Sequence, residues 1–238
     1  MTAHDLVLRL GGDAAGSLGL DLERTGEVDR WFVAACLLAG RVRAPLALDT
    51  WRALERAGLA APDAIAAAGP ERVALVLDGA GYPKPEGSAL KLARASAELV
   101  AHWQASVARI GAAADDLDDL GGRLARLAPG IGPAAILTFL RPLRDPWPAA
   151  RETPLSAAAR AAAVHLGWIR PGEDDDGEPG ALRSSLAAEA DAPPLAAVEA
   201  ALDALGRRAC LRERADRCPV AEACPLAGMH MAQVESPE

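Results

Sequence analysis

The sequence predicts an all-α protein, and three observations carry that expectation. Alanine, leucine and arginine dominate the 238 residues, aromatics make up only 3% and β-branched runs are scarce. That is a composition for helices rather than strands. Apolar residues recur at helical spacing, as in Leu120, Leu124 and Leu127, and again in Ile136, Phe139, Leu140 and Leu143. Glycine and proline breakers separate these stretches, among them Gly69-Pro70, Gly79-Ala80-Gly81 and Pro129-Gly130. With hydrophobic residues at 51%, disorder is excluded as a default, and the length suits one large domain or two lobes.

In chain order, residues 4–10 read as a short helix and residues 11–26 as a glycine-rich loop. Residues 27–42 read as a buried helix and residues 50–57 as a further helical stretch. Residues 62–68 and 71–77 are short helices on either side of Gly69-Pro70. A long helix over 84–103 is entered through Tyr82-Pro83-Lys84-Pro85. Asp115 and Asp116 stand at the start of the next helix, where negative charge suits the dipole. Arg144-Asp145-Pro146-Trp147-Pro148 breaks the chain. Residues 152–165 read as a helix, 171–179 as an acidic loop, and 193–208 as an amphipathic helix.

The stretch that organises the rest is Leu124-Ala-Arg-Leu-Ala-Pro-Gly-Ile-Gly-Pro-Ala-Ala-Ile-Leu-Thr-Phe-Leu-Arg141. Gly130 and Gly132 around Ile131 make a tight turn that few other residues permit. Pro133 fits the first turn of a following helix, where no N–H is missed. The expected product is helix, short hairpin, helix, with Ile131 plugging the gap. Backbone N–H groups at Gly130, Gly132 and the second helix would then point outward together as an anion site, with a DNA phosphate as its natural occupant.

Charge distribution bears on that reading. The formal net charge is −8, which by itself argues against a nucleic-acid partner. Between residues 121 and 172, however, stand seven arginines (123, 126, 141, 144, 151, 160 and 170) against two carboxylates, Asp145 and Glu152. The acidity sits in residues 115–119, in 173–178 and in the tail. A basic face on an acidic body can still bind phosphate, with steep salt dependence; the alternative is that the arginines are solvated helix faces. No apolar run reaches membrane-spanning length and the N-terminus lacks a signal pattern, so the chain is read as cytoplasmic, without a membrane partner, and as a monomer.

The hairpin resembles that of the endonuclease III-like helix-hairpin-helix (HhH-GPD) DNA glycosylases, and the chain is similar to a divergent member of that superfamily at three further landmarks in the same order. The helix ending Ala-Cys-Leu-Leu-Ala-Gly-Arg41 resembles the family's early helix. Gly79-Ala-Gly-Tyr-Pro-Lys-Pro-Glu-Gly-Ser-Ala-Leu-Lys91 resembles the loop leading into its long helix. Gly206-Arg207-Arg208-Ala209-Cys210 resembles the segment before its iron–sulfur loop. The resemblance implies a two-lobed, all-α fold: a six-helix module from residues 27–145, and a second lobe from residues 1–26 and 146–238 carrying the cysteine loop. Double-stranded DNA would lie across the cleft. Arg41 would enter the void left by a flipped base. Lys84, Gly130, Ile131, Gly132, Ala134, Arg141 and Arg144 would make up the rest of the DNA-binding set.

Catalysis is constrained by the same resemblance. Family members with lyase activity carry an amine just inside the second hairpin helix, where this chain has Ala134. Its two lysines, Lys84 and Lys91, both lie outside the hairpin. The family's catalytic carboxylate aligns with Glu152, in Glu152-Thr153-Pro154. A carboxylate there would orient water and stabilise positive charge on the sugar as the base leaves; the alternative is a first-turn glutamate favoured by the helix dipole.

Cys210, Cys218 and Cys224 cluster near the C-terminus, and His230 follows. Clustered cysteines in a cytosolic chain bind metal more often than they form disulfides. The fourth cysteine, Cys36, reads as a small buried hydrophobe. The resemblance implies a 4Fe–4S cluster, although one cysteine is missing and such clusters want four thiolates. With His230 the set would suit tetrahedral zinc equally well, and the absence of any metal is the third possibility. Three functions stay open: a base-excision DNA glycosylase without lyase activity, a non-catalytic relative that binds damaged or bent duplex, and a helical protein that does not use DNA.

Overall fold

The computed structural model describes residues 1–40, 42–170, 177–212 and 214–225. These residues form twelve α-helices joined by turns and short 3₁₀ segments, with no strand among them. They fall into two compact units, one of residues 14–153 and one of residues 1–13 with 154 onward.

The larger unit contains α2 (Ala14–Ser17), α3 (Thr25–Leu38), α4 (Ala44–Arg56), α5 (Pro62–Gly79), α6 (Pro85–Trp103), α7 (Ala108–Ala113), α8 (Leu117–Ala125) and α9 (Pro133–Leu140). Its centre is α3, where Trp31 to Leu37 are buried without interruption. A helix apolar all round can only be a core helix. Phe32 and Phe139 meet edge to face with centroids 5.4 Å apart, and Trp147 adds a second such contact on Phe139 at 5.6 Å. Trp31 Nε1 donates to the Phe139 carbonyl at 3.0 Å, so the last turn of α9 is tied to α3. Two residues before Trp31, Asp29 Oδ1 accepts from Ser106 Oγ, Val107 N and Ala108 N, which anchors the start of α7 to the same helix.

The second unit packs α1 (Ala3–Leu10), α10 (Ala157–His165), α11 (Gly177–Leu186) and α12 (Leu195–Arg208) around Leu6, Ala159, Ala162, Val198, Leu202 and Leu205. Small side chains let α10 and α12 approach closely: a Cβ on Gly206 would sit 1.9 Å from the Ala158 carbonyl oxygen. Ser156 joins the same pair, capping α10 through Ala159 N and donating to Asp203 Oδ1 at 2.5 Å.

The local signals place most helices, and the departures have physical reasons. The larger unit extends past the expected 27–145 module on both sides. Ala15 and Leu20 are buried in its core, and Trp147 and Ala150 pack there too. Helix α4 begins at Ala44 rather than Thr50, because Pro45 pre-sets the first turn. Helix α10 begins at Ala157, where Ser156 caps it, so Glu152 precedes the helix instead of occupying its first turn. Of the expected acidic loop over 171–179, residues from Gly177 onward begin α11, and residues 171–176 lie outside the described set.

Candidate nucleic-acid interface

The hairpin is built from local rules. Asp116 caps α8 by accepting from Asp119 N at 2.9 Å. Leu120 and Leu124 bury the inner face of that helix, and Leu127 and Ala128 continue it inward. The Ile131 N–H returns to the Ala128 carbonyl at 3.1 Å, with Pro129 and Gly130 between them. Gly130 has φ +92°. Proline at the second position and a positive-φ glycine at the third are what a type II turn requires. Ile131 is 4% exposed and plugs the space behind the turn, as its apolar character requires.

Gly132 is then the N-cap of α9, in extended conformation at φ −106° and with no side chain to cap the helix. Its carbonyl takes the N–H groups of Ala135 and Ile136. The N–H groups of Gly130, Gly132 and Ala134 have no acceptor among the described residues. A Cβ on Gly132 would meet nothing within 4 Å, and Ala134 is exposed. Three backbone donors thus stand at an uncapped, solvent-open helix start, an arrangement that attracts an anion through unsatisfied N–H groups and the positive end of the helix dipole.

The charged residues around the hairpin divide sharply. Arg144, expected on a DNA-binding surface, is instead 1% exposed. Its Nε donates to the Thr153 carbonyl at 2.7 Å and its Nη1 to the Arg141 carbonyl at 3.3 Å. It is a buried strut that folds the segment after α9 back on itself, and it offers no surface to a phosphate. Arg123 is bound to Asp119 at 2.8 Å and lies 6.0 Å from the Trp103 ring centroid. That guanidinium holds the Asp119 carboxyl below its usual range. Arg141 is half-buried in a 3₁₀ turn, whereas Arg126 and Arg151 are exposed and make no ion pair within 4 Å among the described residues. Arg160 and Arg170 belong to the other unit. The basic surplus counted along the sequence therefore reduces to fewer exposed cations beside the hairpin.

Lys84 is exposed at the N-cap of α6, in a left-handed conformation at φ +54°. Tyr82, in the same loop, is structural. Its hydroxyl donates to the Leu37 carbonyl at 2.8 Å, as a second donor beside the Gly40 N–H at 3.1 Å, and so holds the loop to the end of α3. Burial pushes its phenol above the ordinary tyrosine range. Arg41 lies outside the described residues. Lys91, named in the sequence only as a lysine outside the hairpin, lies against it. Its Nζ donates to the Cys36 carbonyl at 3.4 Å, and its Cδ would lie 3.5 Å from a Cβ on Gly130. No local signal could have found it, because both contacts join distant parts of the chain.

Glu152 is exposed in the turn before α10 and makes no hydrogen bond or ion pair among the described residues. Its backbone neighbour is rigid. Thr153 is fully buried, its hydroxyl donates to the Ala150 carbonyl at 2.6 Å, and its own carbonyl receives Arg144. Arg144 thus bears on Glu152 by fixing the chain beside it.

In the second unit, Cys210, Cys218 and Cys224 are all half-buried against the core. The Cys224 thiol donates to the His165 carbonyl at 3.4 Å. Burial and the neighbouring Cys218 and Cys224 push the Cys210 thiol up to about 11, the opposite of what a free, reactive thiolate needs. Among the described residues no group of three or more His, Cys, Asp or Glu side chains is arranged to hold a metal ion. As placed, the three cysteines therefore do not fit the cluster or zinc site that the resemblance implies, and His230 lies outside the described residues. Cys36 is buried in α3 as expected, its thiol raised to about 11 by burial. No helix of the described residues is long and apolar enough to cross a membrane. Compared with models of known protein families and with curated proteins, the chain matches none.

Proposed function

We propose that this chain binds double-stranded DNA through the α8–α9 hairpin and acts as a base-excision DNA glycosylase of the helix-hairpin-helix type, hydrolysing the N-glycosidic bond of a flipped, damaged or mismatched base without lyase activity. The observation that carries the proposal is the set of three acceptor-less N–H groups at Gly130, Gly132 and Ala134 around a buried Ile131. A DNA phosphodiester satisfies both the hydrogen-bonding and the charge requirement of such a site.

In this reading the hairpin holds the backbone, and chemistry falls to Glu152. Its carboxylate is exposed and uncommitted, so it is available to orient water and to offset cationic character on the sugar. The exposed methyl of Ala134 offers no amine, so no imine with the sugar forms there and the strand is left intact. A metal at Cys210, Cys218 and Cys224 belongs to the proposal only through its sequence resemblance. It would require a fourth ligand and a closer approach of the three thiols, and no step depends on it.

The test is a panel of duplexes with oxidised, alkylated, deaminated or mismatched bases, each sample divided between hot alkali and borohydride. The expected result is strand breaks after alkali only, no trapped adduct, and loss of breaks in Glu152→Gln. A borohydride-trapped adduct would refute the assignment of a lyase-free reaction. Intact DNA throughout, with binding preserved, would favour the second reading, a non-catalytic binder of damaged or bent duplex. The observation on that side is the position of Glu152 in a turn ahead of α10, away from the first turn of a helix, where its charge would be fixed.

A further inference from the structure

We infer that Lys91 supplies the cation of the hairpin's phosphate site, contacting the same stretch of DNA backbone as the free amides. The inference rests on the proposed reading of that hairpin. It starts from two contacts of one side chain. The aliphatic stem of Lys91 lies against the type II turn, with Cδ 3.5 Å and Cγ 4.0 Å from where a Cβ on Gly130 would be. The ammonium, two bonds beyond Cδ, is tethered to the Cys36 carbonyl at 3.4 Å. That carbonyl lies in the last turn of α3, where the ladder leaves acceptors open.

A lysine that served only to close the end of α3 would need nothing more than this one bond. Lys91 keeps two further N–H donors, is half-buried rather than enclosed, and has no carboxylate partner among the described residues. The chain has only one other lysine, and Arg144 is withdrawn into the core. Lys91 is therefore the side-chain cation that the fold holds against the turn carrying the free Gly130 amide. The stem over Gly130 braces the loop, and the tethered head places charge beside it at little entropic cost, because the rotamer is already held. Glycine at 130 is required by its positive φ, while a Cβ there would make only ordinary van der Waals contact with the Lys91 stem.

The experiment measures duplex affinity against salt for wild type, Lys91→Met, Lys91→Arg and Gly132→Asp. Methionine keeps an unbranched stem over Gly130 and removes the charge. The expected result for Lys91→Met is a plot of log affinity against log salt that flattens by about 0.9, the release of one counterion contact, while Lys91→Arg keeps the wild-type slope. A structural role in closing α3 would change stability but leave that slope alone. An unchanged slope in Lys91→Met, with binding still lost in Gly132→Asp, overturns the assignment of Lys91 and spares the hairpin reading. Absence of salt-dependent duplex binding in the wild type overturns both. A second measurement needs no variant: lysine acylation of the wild type with and without duplex, read by mass spectrometry. Lys91 should be protected by DNA, and equal acylation in both samples would overturn the inference even if Lys91→Met failed to fold.

Discussion

Replacing Gly132 with aspartate separates folding from binding at one atom. Gly132 has φ −106°, which any residue adopts, and its Cβ direction is empty to 4 Å. It is also the N-cap of α9 with no side-chain cap of its own. Aspartate is a favoured N-cap, worth a few tenths of a kcal/mol over glycine, so the folded protein should be as stable as wild type or slightly more so. The new carboxylate would accept from the first-turn amides and put a negative charge where the phosphate is to sit. The binding loss should be about 1–3 kcal/mol, the cost of a charged hydrogen bond left unmade, or roughly 5- to 150-fold in Kd. Gly132→Ala fills the same space without charge and should bind far more nearly like wild type. The assay is fluorescence anisotropy of a labelled duplex at low salt, paired with thermal unfolding by circular dichroism. Unchanged affinity in a folded Gly132→Asp protein would refute the phosphate site. A clear drop in melting temperature would refute the open N-cap from which the prediction is drawn.

Two further outcomes follow from buried polar groups. Arg144→Met should destabilise the larger unit by about 2–4 kcal/mol, because two charged hydrogen bonds are lost and the buried end of the network at Thr153 is left unsatisfied. Denaturant unfolding followed by tryptophan fluorescence reads it, since Trp31, Trp51, Trp103 and Trp147 lie in that unit; a change under 1 kcal/mol would contradict the strut. Burial raises the Asp29 carboxyl above its ordinary value of 3.8 despite the donors at Ser106, Val107 and Ala108. A raised acid favours folding when protonated, so this contribution is present below the unfolded pKa and is lost as pH climbs through the folded one. Asp29→Asn keeps the acceptor and removes the titration. Its stability relative to wild type should therefore rise between about pH 3 and pH 6, and a difference that is flat or falling across that range would contradict the sign.

What the sequence determined by itself is whatever depends on neighbours along the chain. The kink at Gly69-Pro70 falls where the breaker stands, with Gly69 at φ +77°. The Pro129-Gly130 turn, the buried Ile131 and Pro133 at the head of α9 follow from φ preferences and a helical period that act over a few residues. Asp116 could be placed at a helix start for the same reason. The tertiary structure decided which charges face solvent. Nothing local separates Arg144 from the half-buried Arg141 or the exposed Arg151, yet Arg144 is buried, and carbonyls at Thr153 and Arg141 repay its desolvation. Lys91 meets Gly130 and Cys36 across 39 and 55 residues of chain, and no periodicity within α6 encodes that meeting. The start of α10 was set by Ser156, whose cap is completed through Asp203 on another helix, and this left Glu152 in a turn. The cysteine spacing was legible as a motif, whereas the distances among the three thiols depend on how their segment docks on the Leu202–Leu205 core, a long-range packing event that spacing does not specify.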